Sequence, residues 1–308
     1  MISAERAFLL ADIASVKQLL AARPAGDVIG RLSLEGRLKT LQQELASLPP
    51  EHKARVLLLF DGKPVREAGA IEARFSSKVL ESYQDLIAKL HAQENIGRLA
   101  GAGPIPGVEA SRLYLTGLVA GSCGLQLEEV HDSAQPPPQP GPMDSPLKRV
   151  VERATNLVIA AGEGDELFAE QVVDTNGRVL DSLKEFFSIV DDAEATFQIE
   201  SSHQCAKFDR ERVAQARGRV QHTTIVEEAT RVGGRLTGLL TEGNRFEFRT
   251  EEGVILTGRL ALEPWPDDLI TYLTQWAGKS ALAVLRVERA ETGARVKTTY
   301  RLQRLEKH

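Results

Sequence analysis

The chain has 308 residues, 42% of them hydrophobic and 26% charged, and a net charge of −5. These totals describe a globular chain long enough for two domains, and they exclude a dedicated whole-surface nucleic-acid binder without excluding a local basic face. No apolar run approaches the ~20 residues of a membrane span, and two cysteines far apart in sequence exclude a disulfide framework.

At the N-terminus Glu5 and Arg6 sit inside an amphipathic pattern where a signal peptide would carry an apolar core, so the expected location is cytoplasmic, with no membrane partner. Phe8, Leu9, Ile13, Val16, Leu19 and Leu20 recur at helical spacing over 2–22. Leu34, Leu38, Leu41, Leu45 and Leu48 then alternate four and three residues apart, the a/d seam of two heptads, before Pro49-Pro50 stops the helix. Two readings stay open for residues 1–50: a short coiled-coil oligomerisation seam, or a helical hairpin packed on itself.

Residues 51–131 read as an α+β module. The apolar run 56–60 precedes Asp61-Gly62, a hairpin signal, with 63–66 as the return strand. A long helix follows, its face marked by Ile71, Phe75, Val79, Leu80, Tyr83, Leu86, Ile87 and Leu90. Residues 111–119 and 125–130 form a second hairpin around 120–124. Six prolines in 132–146 then predict an extended linker. Residues 147–222 are mainly helical: Ser145-Pro146 opens one helix, a second runs over 165–173, and a third follows the break at 174–177. A strand at 196–199 and a polar helix over 209–220 complete the segment.

Residues 223–308 turn to β-structure. Short segments at 234–240, 245–249 and 254–260 are separated by turns bearing Gly or Asn, and Phe246 and Phe248 alternate with Arg245, Glu247 and Arg249. A helix opened by Pro266-Asp267 and stopped by Gly278 comes next, then strands at 281–289 and 295–305. This order of three strands, helix and two strands resembles the five-stranded OB-fold barrel, and an SH3-like barrel fits the same pattern. The expected fold class is therefore α+β: a helical hairpin, a hairpin–helix–hairpin module, a helical segment and a small five-stranded barrel.

Catalytic signatures are weak throughout. Ala120-Gly121-Ser122-Cys123-Gly124 lacks the helix that must follow a nucleophile elbow. No histidine pair has metal-ligand spacing, and His203 with Cys205 has no second pair to join. Asp191, Asp192 and Glu194, like Asp165, Glu166 and Glu170, sit where helix ends collect solvated or capping acids. No catalytic, cofactor-binding or metal-ligating residue is expected, and no cofactor. The strongest feature is the last strand, where Arg295, Lys297 and Arg301 share an outward face in a segment, 279–308, with eight basic and three acidic residues. Such a face suits a phosphate backbone or an acidic protein. The leading expectation is a non-enzymatic scaffold or regulatory protein acting through a protein partner or self-association, of a kind that would suit a bacterial accessory system such as phage defence. The alternative is a nucleic-acid binder using that basic face.

Overall fold

The computed structural model describes residues 9–307 apart from 10–11, 14, 17–18, 21–22, 25–26, 48–51, 67–69, 97–98, 120–122, 131–143, 203, 241–243, 262–273 and 294. The described residues fall into two compact units, one running to His52 and including Asp144, the other starting at Lys53.

In the first unit, helical residues between 9 and 20 accompany helix α1 (Val28–Ser47). Asp27 caps α1 by accepting the Gly30 amide at 3.0 Å, which holds its carboxyl below the usual range. Leu9, Ile13 and Val16 bury against Leu41, with Leu34 and Leu38 packed at the side. The leucine repeat therefore has apolar neighbours from within its own unit, and Arg37 adds an ion pair to Asp12 at 3.1 Å.

The second unit is α+β, as its alternating patterns require. Its larger sheet has the order β4-β5-β1-β6-β7, from β1 (Arg55–Gly62), β4 (Tyr114–Val119), β5 (Cys123–Glu128), β6 (Ala195–Ser201) and β7 (Gln204–Phe208), with antiparallel neighbours. Helices α2 (Ala73–Ile96), α3 (Pro146–Glu163), α4 (Asp165–Val172), α5 (Gly177–Asp192) and α6 (Arg210–Gln221) join the same core. Val56, Leu58 and Phe60 of β1 meet Phe75, Val79 and Tyr83 of α2, and Phe197 stacks on Phe208 at 4.4 Å. Side-chain caps start three of the helices: Ser145 accepts from the Lys148 amide, Asn176 from Arg178, and Asp209 from Arg212.

Two pairings differ from the local expectation. The segment after Asp61-Gly62 forms β2 (Val65–Arg66), which pairs with β3 (Ala70–Ile71) and not with β1. Both edges of β1 are taken instead by β5 and β6, strands from opposite sides of the Pro-rich stretch. The segments before and after that stretch thus build one sheet and one core.

The C-terminal strands are β8 (Thr223–Leu240), β9 (Arg245–Thr250), β10 (Ile255–Leu260), β11 (Ser280–Thr292) and β12 (Arg295–Lys307), and they form a ring in the order β10-β12-β11-β8-β9. Neighbours are antiparallel except β10 and β12, which close the ring in parallel through Arg259↔Arg301 and Leu260↔Leu302. Leu236, Phe246, Phe248, Leu285 and Leu302 fill its interior, with Trp276 packed at the side. A ring this small needs close backbone approaches: a Cβ on Gly234 would run into the Arg249 carbonyl oxygen, and one on Gly258 into that of Tyr300. Of the helix expected before Gly278, residues 274–276 are described and helical, and Gly278 has the positive φ of a helix stop. β8 starts eleven residues before the expected strand at 234. This extra length carries the ring onto the larger core, where Ile225 and Ala290 pack and the Thr223 hydroxyl bonds Thr292 at 3.0 Å.

Candidate functional site

The basic strand face singled out from sequence meets carboxylates of its own unit. Arg295 lies 3.7 Å from Glu166, Lys297 3.6 Å from Glu170, and Arg301 3.3 Å from Asp174. The first two rungs match by geometry. Two strand residues advance about 6.6 Å and four helix residues about 6 Å, so alternate positions on β12 keep step with every fourth position on α4. The two outer pairs are exposed, Lys297–Glu170 about half and Arg295–Glu166 more than that, and contribute little each. Arg301 is different: it also faces Glu288, whose side chain is 6% exposed. Burial pushes the Glu288 carboxyl up, and Arg301 pulls against that. Glu227 stands opposite Glu288 on β8 and accepts from Asn176 at 3.2 Å. The face is a dock between the ring and the helices beside it.

The other candidates from sequence are dispersed. Ser122, His203 and Leu48 lie outside the described residues, and Leu45 lies on α1. Burial raises the Cys123 thiol, while Cys205 is exposed and within 3.6 Å of Glu200. Asp191 and Asp192 pair with Arg217, Glu194 with Lys63, and Asp165 with Arg219. Among the described residues, no three His, Cys, Asp or Glu side chains cluster as a metal site would, and no helix is long and apolar enough to cross a membrane.

A second charged face was not recognised from sequence as a site. On β9, Phe246 and Phe248 turn into the ring, leaving Arg245, Glu247 and Arg249 on the outside. Register sets their neighbours. Arg249 is flanked by Arg235 of β8 and Ile255 of β10; Glu247 by Gly238 and Thr257; Arg245 by Leu240 and Arg259. The result is a nine-position surface over three strands, with an arginine pair at each end and one glutamate at the centre. A bulge between Leu236 and Gly238 keeps Gly238 and Leu240 in this array. All four arginines are exposed, and no ion pair to any of them is found among the described residues. Leu240 and Ile255, 64% and 48% exposed, occupy opposite corners. Like charges directly opposite on antiparallel strands repel and destabilise the pairing. This surface carries two such pairs, one at each end, and Glu247 is the one acidic residue among its nine positions.

The alternation of 245–249 showed the outward charges of β9, but Arg235 and Arg259 join them only through strand register, which no local pattern contains. Comparisons of the chain with protein-family models, with curated proteins and with solved structures find no match.

Proposed function

We propose that the C-terminal ring is an OB-like barrel and that the protein binds single-stranded nucleic acid through the outer face of β8, β9 and β10. The strand order supports the barrel reading. Numbered from β8, neighbours run first, second, third, fifth, fourth and back to first, with the third and fifth parallel. In OB-folds the face of the second and third strands takes oligonucleotides and oligosaccharides, and here those strands are β9 and β10. The observation that carries the functional reading is the two cross-strand Arg–Arg pairings, Arg235↔Arg249 and Arg245↔Arg259, with no ion pair to any of the four among the described residues. A phosphate between two guanidiniums turns each repulsion into charge-assisted hydrogen bonds. The working face is therefore this one, and Arg295, Lys297 and Arg301 serve to dock the ring.

Fluorescence anisotropy with labelled DNA and RNA oligonucleotides over a salt series tests the proposal. Two to four neutralised phosphates predict a slope of log affinity against log salt of roughly −1.4 to −2.8. R245E/R259E should abolish binding, whereas R295E/K297E should leave it within about twofold. Binding lost in the second pair and kept in the first would return the site to β12.

One observation favours a second reading, a scaffold acting through protein contacts. On α1, Ile29 and Leu32 are 85% and 69% exposed and project opposite to Leu34, Leu38 and Leu41. An apolar pair of this kind suits a protein partner or a second copy of the chain. Light scattering of the purified protein and of I29E/L32E tests it: an oligomer that the double variant dissociates supports self-association, and a monomer in both rejects it.

A further inference from the structure

We infer that Glu247 reads a guanine held between the two arginine pairs. The inference rests on the nucleic-acid reading of the β8–β10 face and adds a base preference to it. A site built only to grip phosphate gains nothing from a carboxylate at its centre, because the charge there weakens the field of all four arginines. Glu247 nevertheless occupies the middle position, with the pairs Arg235–Arg249 and Arg245–Arg259 on either side of it.

The spacing suits two nucleotides. Arg245 and Arg249 are four residues apart on β9, about 13–14 Å of strand, a length that two backbone repeats of an extended single strand can cover. Phosphates gripped at the two ends then bracket two bases, and one of these can turn down onto the centre while the phosphate between them faces solvent. The flanking residues there are small, Gly238 on β8 and Thr257 on β10, so the centre lies lower than its rim of arginines, Leu240 and Ile255. The carboxylate leans across the glycine: a Cβ at Gly238 would sit 3.3 Å from Glu247 Oε2 and 3.2 Å from its Cβ. Glycine thus leaves the space over β8 that the carboxylate uses. The Thr237 hydroxyl, at the bulge, donates to the Glu247 carbonyl at 3.2 Å and ties the two strands together at this level.

An ionised carboxylate only accepts hydrogen bonds, and its two oxygens lie side by side. Guanine presents two adjacent donors, N1–H and the N2 amino group, on one edge. Adenine and cytosine each place a ring-nitrogen acceptor beside their amino group, and thymine and uracil flank one N–H with two carbonyls. Guanine alone can satisfy both oxygens without facing an acceptor lone pair, and bases splayed from a single strand expose that edge.

The test uses the full chain and 5′-labelled oligonucleotides. All-thymine DNA and all-uracil RNA are compared with the same strands bearing one central guanine, adenine or cytosine, against wild type and E247Q. A bidentate contact predicts that guanine tightens wild-type binding about fivefold or more. In E247Q that preference should vanish, while affinity for the homopolymer is kept or rises because a negative charge has gone. Equal wild-type affinity for all four bases, or a guanine preference that survives in E247Q, overturns the inference and leaves the phosphate-binding reading standing. Absence of binding to every strand overturns both. A preference confined to the DNA or to the RNA series supports the inference and identifies which polymer the face takes.

Discussion

Arg301 directs its Nε at both carboxylate oxygens of Glu288, 3.0 Å from each, while its Nη2 reaches Asp174 at 3.3 Å. One guanidinium thus joins the outer face of the ring to the residues just beyond α4. Removing it leaves a buried carboxylate beside Glu227 and Asp174 with its main counter-charge gone. R301A should lower stability by about 3–5 kcal/mol, far more than R295A, whose partner is exposed. Urea denaturation of the two variants makes the comparison, and equal midpoints would remove Arg301 from its place in the dock.

The same pair predicts a pH effect with a definite sign. Burial raises the Glu288 carboxyl above the ordinary 4.5, even against Arg301. The folded chain then holds this proton more tightly than the unfolded chain. The contribution of the group is fully present below pH 4.5 and is lost as pH rises through the folded value. Glutamine cannot titrate, so E288Q should gain stability relative to wild type as pH rises above 4.5. Melting temperatures of both proteins from pH 4 to 8 give the answer; a constant difference would falsify the raised value.

At the arginine face, stability and binding should move in opposite directions. R259E places an opposite charge in place of a like charge at the strand position paired with Arg245. It should stabilise the ring by about 0.2–1 kcal/mol and weaken oligonucleotide binding at least tenfold. A variant that loses stability along with binding would show that the arginine pair carries no strain.

Glycine substitutions separate close approach from mere flexibility. G234A and G258A should each cost about 1–3 kcal/mol, because the new methyl group meets a backbone carbonyl that cannot yield cheaply. In α6, Gly218 has open space around the Cβ position. G218A should therefore stabilise by about 0.5–1 kcal/mol through helix propensity. Three variants with the same sign of change would contradict this division.

Tyr83 is wholly buried, and burial pushes its phenol well above the ordinary value, with the Thr155 hydroxyl beside it acting the other way. Thr155 gives its own proton to the Val151 carbonyl at 2.9 Å, and no described residue offers the Tyr83 hydroxyl a well-formed hydrogen bond. Y83F should therefore stay within about 1 kcal/mol of wild type. In alkaline absorbance titration Tyr83 should stay silent until the chain unfolds, so wild type and Y83F should show the same absorbance change before that transition. A larger early change in wild type than in Y83F would place Tyr83 in contact with solvent.

The helices were legible because their signals are local. Ser145-Pro146 and Asn176-Gly177 name their own helix starts, and the apolar faces of α2, α3 and α5 repeat at helical spacing over several turns. The ring was legible as an element order for the same reason: Gly and Asn mark its turns, and Phe246 and Phe248 mark its inside. Pairing was another matter. Asp61-Gly62 is a sound hairpin signal, but what lies beside β1 depends on β5 and β6, about 65 and 140 residues further on, and nothing in 55–62 encodes either. β7 is short and its polar Gln204 and Lys207 dilute the alternation, so it went unread. The charge on 295–301 stands in the sequence itself. The acids that meet it lie some 130 residues earlier, and each group of charges in isolation looks like a solvated surface.

Because β1 lies between β5 and β6, the covalent chain between residues 130 and 145 adds little to what already joins the two sides. Backbone hydrogen bonds along β1 and the shared core hold them together. A protease cut within that stretch would leave two fragments that co-purify and melt as one body.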